Sequence, residues 1–157
     1  MTQGLSGFER LAFFPADHAE AIDGKVYVNG GYWCRLNFPS FPQPLNLTLV
    51  AVLKVPFGEY QAEHTFTMGL EDAESGRLPL DVEGSFRVGA DPGMNDGEPT
   101  VLPVTVPVAN LSIPHAGDYA FTLAVDDERL GRYPFRAVQL QAPLQFTVDQ
   151  PQPKGRK

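Results

Sequence analysis

"LNLTLVAVLKV", residues 45–55, decides the fold. In an extended chain successive side chains point to opposite faces, so Leu45, Leu47, Leu49, Ala51, Leu53 and Val55 line one side. The other side is polar at Asn46, Thr48 and Lys54 and apolar at Val50 and Val52. A strand apolar on both faces in its middle and polar at its ends belongs in the interior of a sheet. Pro56 and Gly58 then stop it.

The same period of two continues outward in both directions. "HTFTMGL" sets Phe66, Met68 and Leu70 against threonines, and the acidic turn "EDAESG" follows. "LPLDVEGSFRV" puts Leu80 and Val82 in phase, then Phe86 and Val88, with Gly84 a candidate bulge between them. "TVLPVTVPVANL" alternates Leu102, Val104, Val106 and Val108 against Pro103, Thr105 and Pro107. Prolines cannot donate to a ladder, so this segment reads as an edge strand. "DYAFTLAVDD" turns Tyr119, Phe121, Leu123 and Val125 inward, "RYPFRAV" follows the turn "DDERLG", and "APLQFTV" reads as a last strand. At the front, "GFERLAFFPADHAEAI" suits a strand kinked at Pro15, or a strand followed by one helical turn.

Eight or nine short strands with turns every 8–12 residues predict an all-β protein, an antiparallel two-sheet β-sandwich, with a β-barrel as the alternative. At 157 residues, 43% of them hydrophobic, the chain is long enough for one domain with a sizeable core. We place that domain at residues 1–149 and expect a disordered, proline-rich tail at 150–157.

"DGKVYVNGGYWCRL", residues 23–36, holds the single tryptophan and the single cysteine behind a double glycine. Asp23-Gly24 is a turn dipeptide. A phosphate cradle needs a helix N-terminus straight after its glycines, whereas β-prone "YWCRLNF" follows here. The remaining readings are a hairpin turn at Asn29-Gly30 or a bulge in one bent strand. Trp33 is expected in the core with Tyr32 and Cys34 facing the other way, and Cys34 is expected to be a buried, inert thiol. The alternative is an exposed platform of Tyr32 and Trp33 for a sugar or a partner.

Charge narrows the partners. The net is −7, and three of the twelve basic residues sit in the tail "PQPKGRK", leaving nine against nineteen acidic groups in the body. Such a surface repels a phosphate backbone, so no nucleic-acid partner is expected. No apolar window is long enough for a membrane span. The N-terminus lacks a basic region followed by an apolar core, and one cysteine forms no disulfide framework, so the expected location is cytoplasmic.

Two resemblances add to this reading. "LSIPHAGDYAFTLAV" resembles the corner before the penultimate strand of immunoglobulin-like sandwiches, with Leu111, Gly117 and Tyr119 at matching positions. The resemblance implies that the Tyr119 hydroxyl bonds back to the loop backbone. Phe121 stands where antibody domains carry cysteine, so an antibody-type domain is not implied. The whole chain also resembles a family of small uncharacterised bacterial proteins, actinobacterial and sometimes phage-associated. It does so at Asp17, Ala19, Gly24-Lys25, Tyr27, Gly30-Gly31 and Trp33, at "VP" 55–56, at "H-x-F" 64–66, at "FRVG" 86–89 and at "GDYAF" 117–121. That resemblance implies no activity.

Chemistry is sparse. His18, His64 and His115 lie far apart, and only His18 with Glu20 would share a strand face as metal ligands. No Gly-x-Ser-x-Gly elbow occurs, and Ser75, Ser85 and Ser112 lack an evident base. The loop "GADPGMNDGEP" offers Asp91, Asn95, Asp96 and Glu98 as weak calcium candidates, with "DDE" at 126–128 as a possible neighbour. No catalytic residue, cofactor or definite metal site is expected. The reading is therefore a non-enzymatic protein-interaction or structural module, its partner a protein or a second copy of itself. The alternatives are a carbohydrate- or calcium-binding module, with Tyr32, Trp33 or Tyr60 as contacts, and a hydrolase on a sandwich scaffold.

Overall fold

The computed structural model describes residues 7–89 and 92–141, together with Gly155. Asp91, the expected strand around Leu144, Phe146 and Val148, and nearly all of the tail at 150–157 lie outside the described residues. Among the described residues nine strands form, and the one helical element is a single 3₁₀ turn, Phe57–Glu59. They are β1 (Glu9–Ile22), β2 (Lys25–Gly31), β3 (Arg35–Phe38), β4 (Gln43–Val55), β5 (Glu63–Asp72), β6 (Gly76–Arg87), β7 (Thr100–Ile113), β8 (Gly117–Val125) and β9 (Glu128–Gln139).

Two sheets pack face to face. Sheet A has the order β2-β1-β4-β7 and sheet B the order β3-β9-β8-β5-β6. All pairs are antiparallel except β3 with β9. The protein is a two-sheet β-sandwich. As the alternation of residues 45–55 requires, β4 is interior, flanked by β1 and β7. Leu47, Leu49, Ala51, Leu53 and Val55 enter the core between the sheets, where they meet Met68, Leu70, Tyr119, Phe121, Leu123 and Val125 from β5 and β8. On the other face of β4, Val50 packs with Phe14, Ala16 and Ala19 in a smaller cluster.

β7 is an edge strand, as its prolines predict, and its ladder with β4 runs through Pro103 and Pro107 without a register shift there. Asp23 and Gly24, with φ of 51° and 73°, turn the β1–β2 hairpin.

One alternative is decided and three expectations need correction. The front segment makes one continuous strand through Pro15 with no helical turn, because β4 on one side and β2 on the other hold it extended. Gly84 is not a bulge. It pairs in register with Phe66, and a Cβ there would run into the Phe66 ring, so the missing side chain makes room for that ring. The irregularity of β6 lies earlier, between its residues opposite Gly69 and Leu70.

The double glycine marks neither a hairpin nor a bulge. Asn29 and Gly31 stay in register with His18 and Ala16. Tyr32 then adopts φ of 63°, donates its N–H to the Pro15 carbonyl, and the chain leaves sheet A for sheet B, where β3 runs parallel to β9. Gly30 also has positive φ, and the Asp17 side chain fills the place of its absent Cβ. Finally, Cys34 is exposed, because this crossing segment presents its thiol away from the core.

Candidate functional site

The crossing segment separates the aromatic pair that a sugar platform would need. Trp33 is half-buried against the core, its ring edge-on to Phe121 and Phe135. Its Nε1 is buried with no hydrogen-bond partner among the described residues. Tyr32 stays 61% exposed and stacks on Phe14 at 3.9 Å between ring centres. Tyr60 lies on another loop, where its hydroxyl donates to the Glu98 carbonyl at 2.8 Å.

Two of the calcium candidates, Asn95 and Glu98, are engaged with each other. The Glu98 carboxylate accepts the Asn95 N–H at 2.9 Å, which closes the turn internally. Among the described residues no group of three or more His, Cys, Asp or Glu side chains is arranged to hold a metal ion. His18 and Glu20 do share a strand face, 3.4 Å apart, both more than half exposed.

The structure brings together two clusters that spacing along the chain conceals. Both attach to β5 and β8, at opposite ends of that pair. At the first, His64 is buried, with Nδ1 2.6 Å from Asp126 Oδ2 and Nε2 3.0 Å from the Glu59 carbonyl. Asp126 Oδ1 also accepts the Thr65 N–H at 3.0 Å. Phe8 and Phe86 pack on the imidazole.

At the second, Asp72 is buried and is the hub. It accepts the Glu74 N–H at 3.0 Å, the Ser75 hydroxyl at 2.8 Å and His115 Nε2 at 2.6 Å. His115 Nδ1 faces the Ala116 carbonyl at 2.8 Å, and the Tyr119 hydroxyl donates to the His115 carbonyl at 2.6 Å. That last bond is the one the immunoglobulin-type corner implies.

Each imidazole has an acceptor at both nitrogens, so only the doubly protonated ring can satisfy both. Burial pushes the His64 pKa down, but bonds to Asp126 and the Glu59 carbonyl, with the charges of both carboxylates, hold it above the ordinary value. His115 is raised first by the Ala116 carbonyl and then by Asp72. Burial would lift the Asp72 carboxyl, yet the bonds from Glu74, Ser75 and His115 leave it below the ordinary carboxylate range. Asp126 is lowered in the same way by Thr65 and His64 against its own desolvation.

Serine, histidine and aspartate thus meet at the second cluster, but in the wrong order for acyl transfer. Ser75 and His115 both bond to Asp72 Oδ2, and neither ring nitrogen of His115 is left to take the serine proton. Beside this cluster a shallow groove of about 340 Å³ crosses the outer face of β5 and β8. Thr67, Gly69, Glu71 and Asp72 line it, with Thr122 and Arg129 opposite. Glu71 is already ion-paired with Arg129 and, at 3.7 Å, with Arg132. Met68, Leu70, Leu123 and Ala124 contribute to its lining as well, and its charged side chains are already paired with one another or with neighbours.

The β2 side of sheet A differs from the rest of the surface. Ile22, Tyr27, Val28 and Tyr32 are exposed there, at 47%, 55%, 38% and 61%. The other edges carry protection: prolines on β7, an irregular register on β6 and only four residues in β3. β2 has only Lys25 at one end.

Residues 11–138 match a family model whose description is "family of unknown function". The chain belongs to that family, DUF6941. No curated protein matches this DUF6941 chain in sequence. Among solved structures it is similar to the Pseudomonas fluorescens alkylpurine DNA glycosylase AlkC, bound to DNA containing an abasic-site analogue. The two share 14% identity with a TM-score of 0.36, over 67% of this chain and 28% of that one. It is also similar to a Listeria innocua beta-glucosidase in complex with glucose, at 12% identity and a TM-score of 0.39, over 68% of this chain and 15% of the other. The DUF6941 chain therefore spans less than a third of the length of either. Among the described residues no helix is long and apolar enough to cross a membrane.

Proposed function

We propose that this DUF6941 chain is a non-enzymatic protein-interaction module that receives its partner on the β2 side of sheet A. The observation that carries the reading is that no described strand pairs with the outer edge of β2, beside exposed Ile22, Tyr27, Val28 and Tyr32. An open edge supplies unpaired N–H and C=O groups to an incoming strand, and the neighbouring aromatic rings supply apolar contact area. In this reading the sandwich is immunoglobulin-like and works in the cytoplasm. The Tyr119 bond to the His115 carbonyl supports the former, and the acidic body is compatible with the latter. The resemblance to phage-associated bacterial proteins suggests a role in assembly.

The test is affinity capture from an extract of the cells that make the protein. The wild type is compared with a Tyr27→Lys/Val28→Lys double variant and with a Val101→Lys control on the exposed β7 edge. A partner retained by the wild type and the control but lost by the double variant is the expected result. Equal capture by all three would move the contact elsewhere on the surface.

A further inference from the structure

The His64 cluster ties three separate segments together. Its imidazole faces Asp126 from the β8–β9 turn and the carbonyl of Glu59, whose carboxylate also lies 3.5 Å from Nε2. Among the described residues these are the ionisable groups that face the ring. Phe8, ahead of β1, and Phe86 of β6 cover it with hydrocarbon. The side chain is 5% exposed, so water cannot slip between the ring and its acceptors while all of them are in place.

The tied loop carries further contacts. Gln61 N–H donates to the Val88 carbonyl at 2.8 Å, and the Tyr60 hydroxyl reaches the Glu98 carbonyl of the 94–98 turn. On the other side Thr65 and Asp126 exchange bonds, Thr65 N–H to Oδ1 and Asp126 N–H to the Thr65 carbonyl.

Removing one proton from this arrangement leaves a nitrogen lone pair pointing at an oxygen. If Nδ1 loses it, the lone pair faces a carboxylate at 2.6 Å; if Nε2 does, it faces a carbonyl at 3.0 Å. Asp126 cannot supply a replacement at neutral pH, because its other oxygen is held by an amide donor that favours the ionised form. We propose that His64 is a proton-operated latch: its imidazolium fastens the 57–61 loop and the 126–127 turn to β5, and loss of that proton frees the loop and, through Tyr60, the 94–98 turn. This device is independent of the interaction surface on sheet A.

The test is a histidine NMR titration of the intact chain, combined with amide exchange of residues 57–61 at about pH 6 and about pH 9, each rate divided by its intrinsic rate. His64 should titrate above the ordinary imidazole value. The opening of residues 57–61 should rise about tenfold for each pH unit between the open and latched pKa values. Asp126→Asn should bring the His64 titration down, and His64→Gln should leave the loop open at both pH values. Should His64→Gln fail to fold, the wild-type titration and Asp126→Asn still decide the matter. A His64 that titrates at or below the ordinary value overturns the latch. So does normalised exchange that stays flat across the range.

Discussion

The two ends of the β5–β8 pair carry the same bond with its burial reversed. At one end the imidazole of His64 is 5% exposed and the carboxylate of Asp126 is 40% exposed. At the other the carboxylate of Asp72 is 1% exposed and the imidazole of His115 is 36% exposed. Both pairs close to 2.6 Å. The difference teaches which partner is indispensable. An exposed member can be replaced by water, whereas a buried one leaves its neighbours unsatisfied when removed.

The largest test is a crossed set of substitutions. His64→Ala and Asp72→Ala should each lose about 3 kcal/mol in urea unfolding, because each strips several bonds from a dry site. His115→Ala and Asp126→Ala should each lose clearly less. Equal losses within each pair would break the comparison.

A pH–stability profile sharpens it. Both histidines are raised in the folded state, so their contribution is complete below the ordinary imidazole value of 6.5 and is lost as pH rises through the folded values. Asp72 and Asp126 are lowered, so their contribution is complete above the ordinary carboxylate value of 3.8 and is lost as pH falls through the folded values. Unfolding measured across pH should therefore show maximal stability between those two ordinary values. His64→Gln should flatten the alkaline limb, and Asp72→Asn the acid limb. The smallest effect concerns the corner alone. Tyr119→Phe keeps the buried ring but deletes the bond to the His115 carbonyl, and should cost about 1 kcal/mol by the same unfolding measurement.

Much of the fold was legible because strand alternation is local. Leu47 to Val55 and Tyr119 to Val125 announce their inward faces within a few residues, and Pro103 and Pro107 announce an edge. What could not be read depends on partners distant in sequence. Gly84 resembles a bulge until the Phe66 ring is seen to occupy its missing side chain. The double glycine becomes intelligible only when Pro15 is found accepting the Tyr32 amide and β9 is found waiting in the other sheet.

The histidine clusters were hidden most deeply. His64 and Asp126 are 62 residues apart, and His115 and Asp72 are 43 apart, so no motif of fixed spacing encloses either pair. The Tyr119 corner was the one local signal that placed His115 in a structured loop. The exposure of Tyr27 and Val28 likewise depends on β2 lying at the margin of sheet A, a fact of topology.

The parallel contact between β3 and β9 has a mechanical consequence. Residues 35–38 run alongside 136–139 in the same direction. Tension applied just before residue 35 and just after residue 139 slides these strands lengthwise past each other, so their cross-links must yield as a group. In the β1–β2 hairpin, by contrast, a pull on the open ends peels one rung at a time. The short strand after the crossing is thus a shear clasp between the first part of the chain and the last.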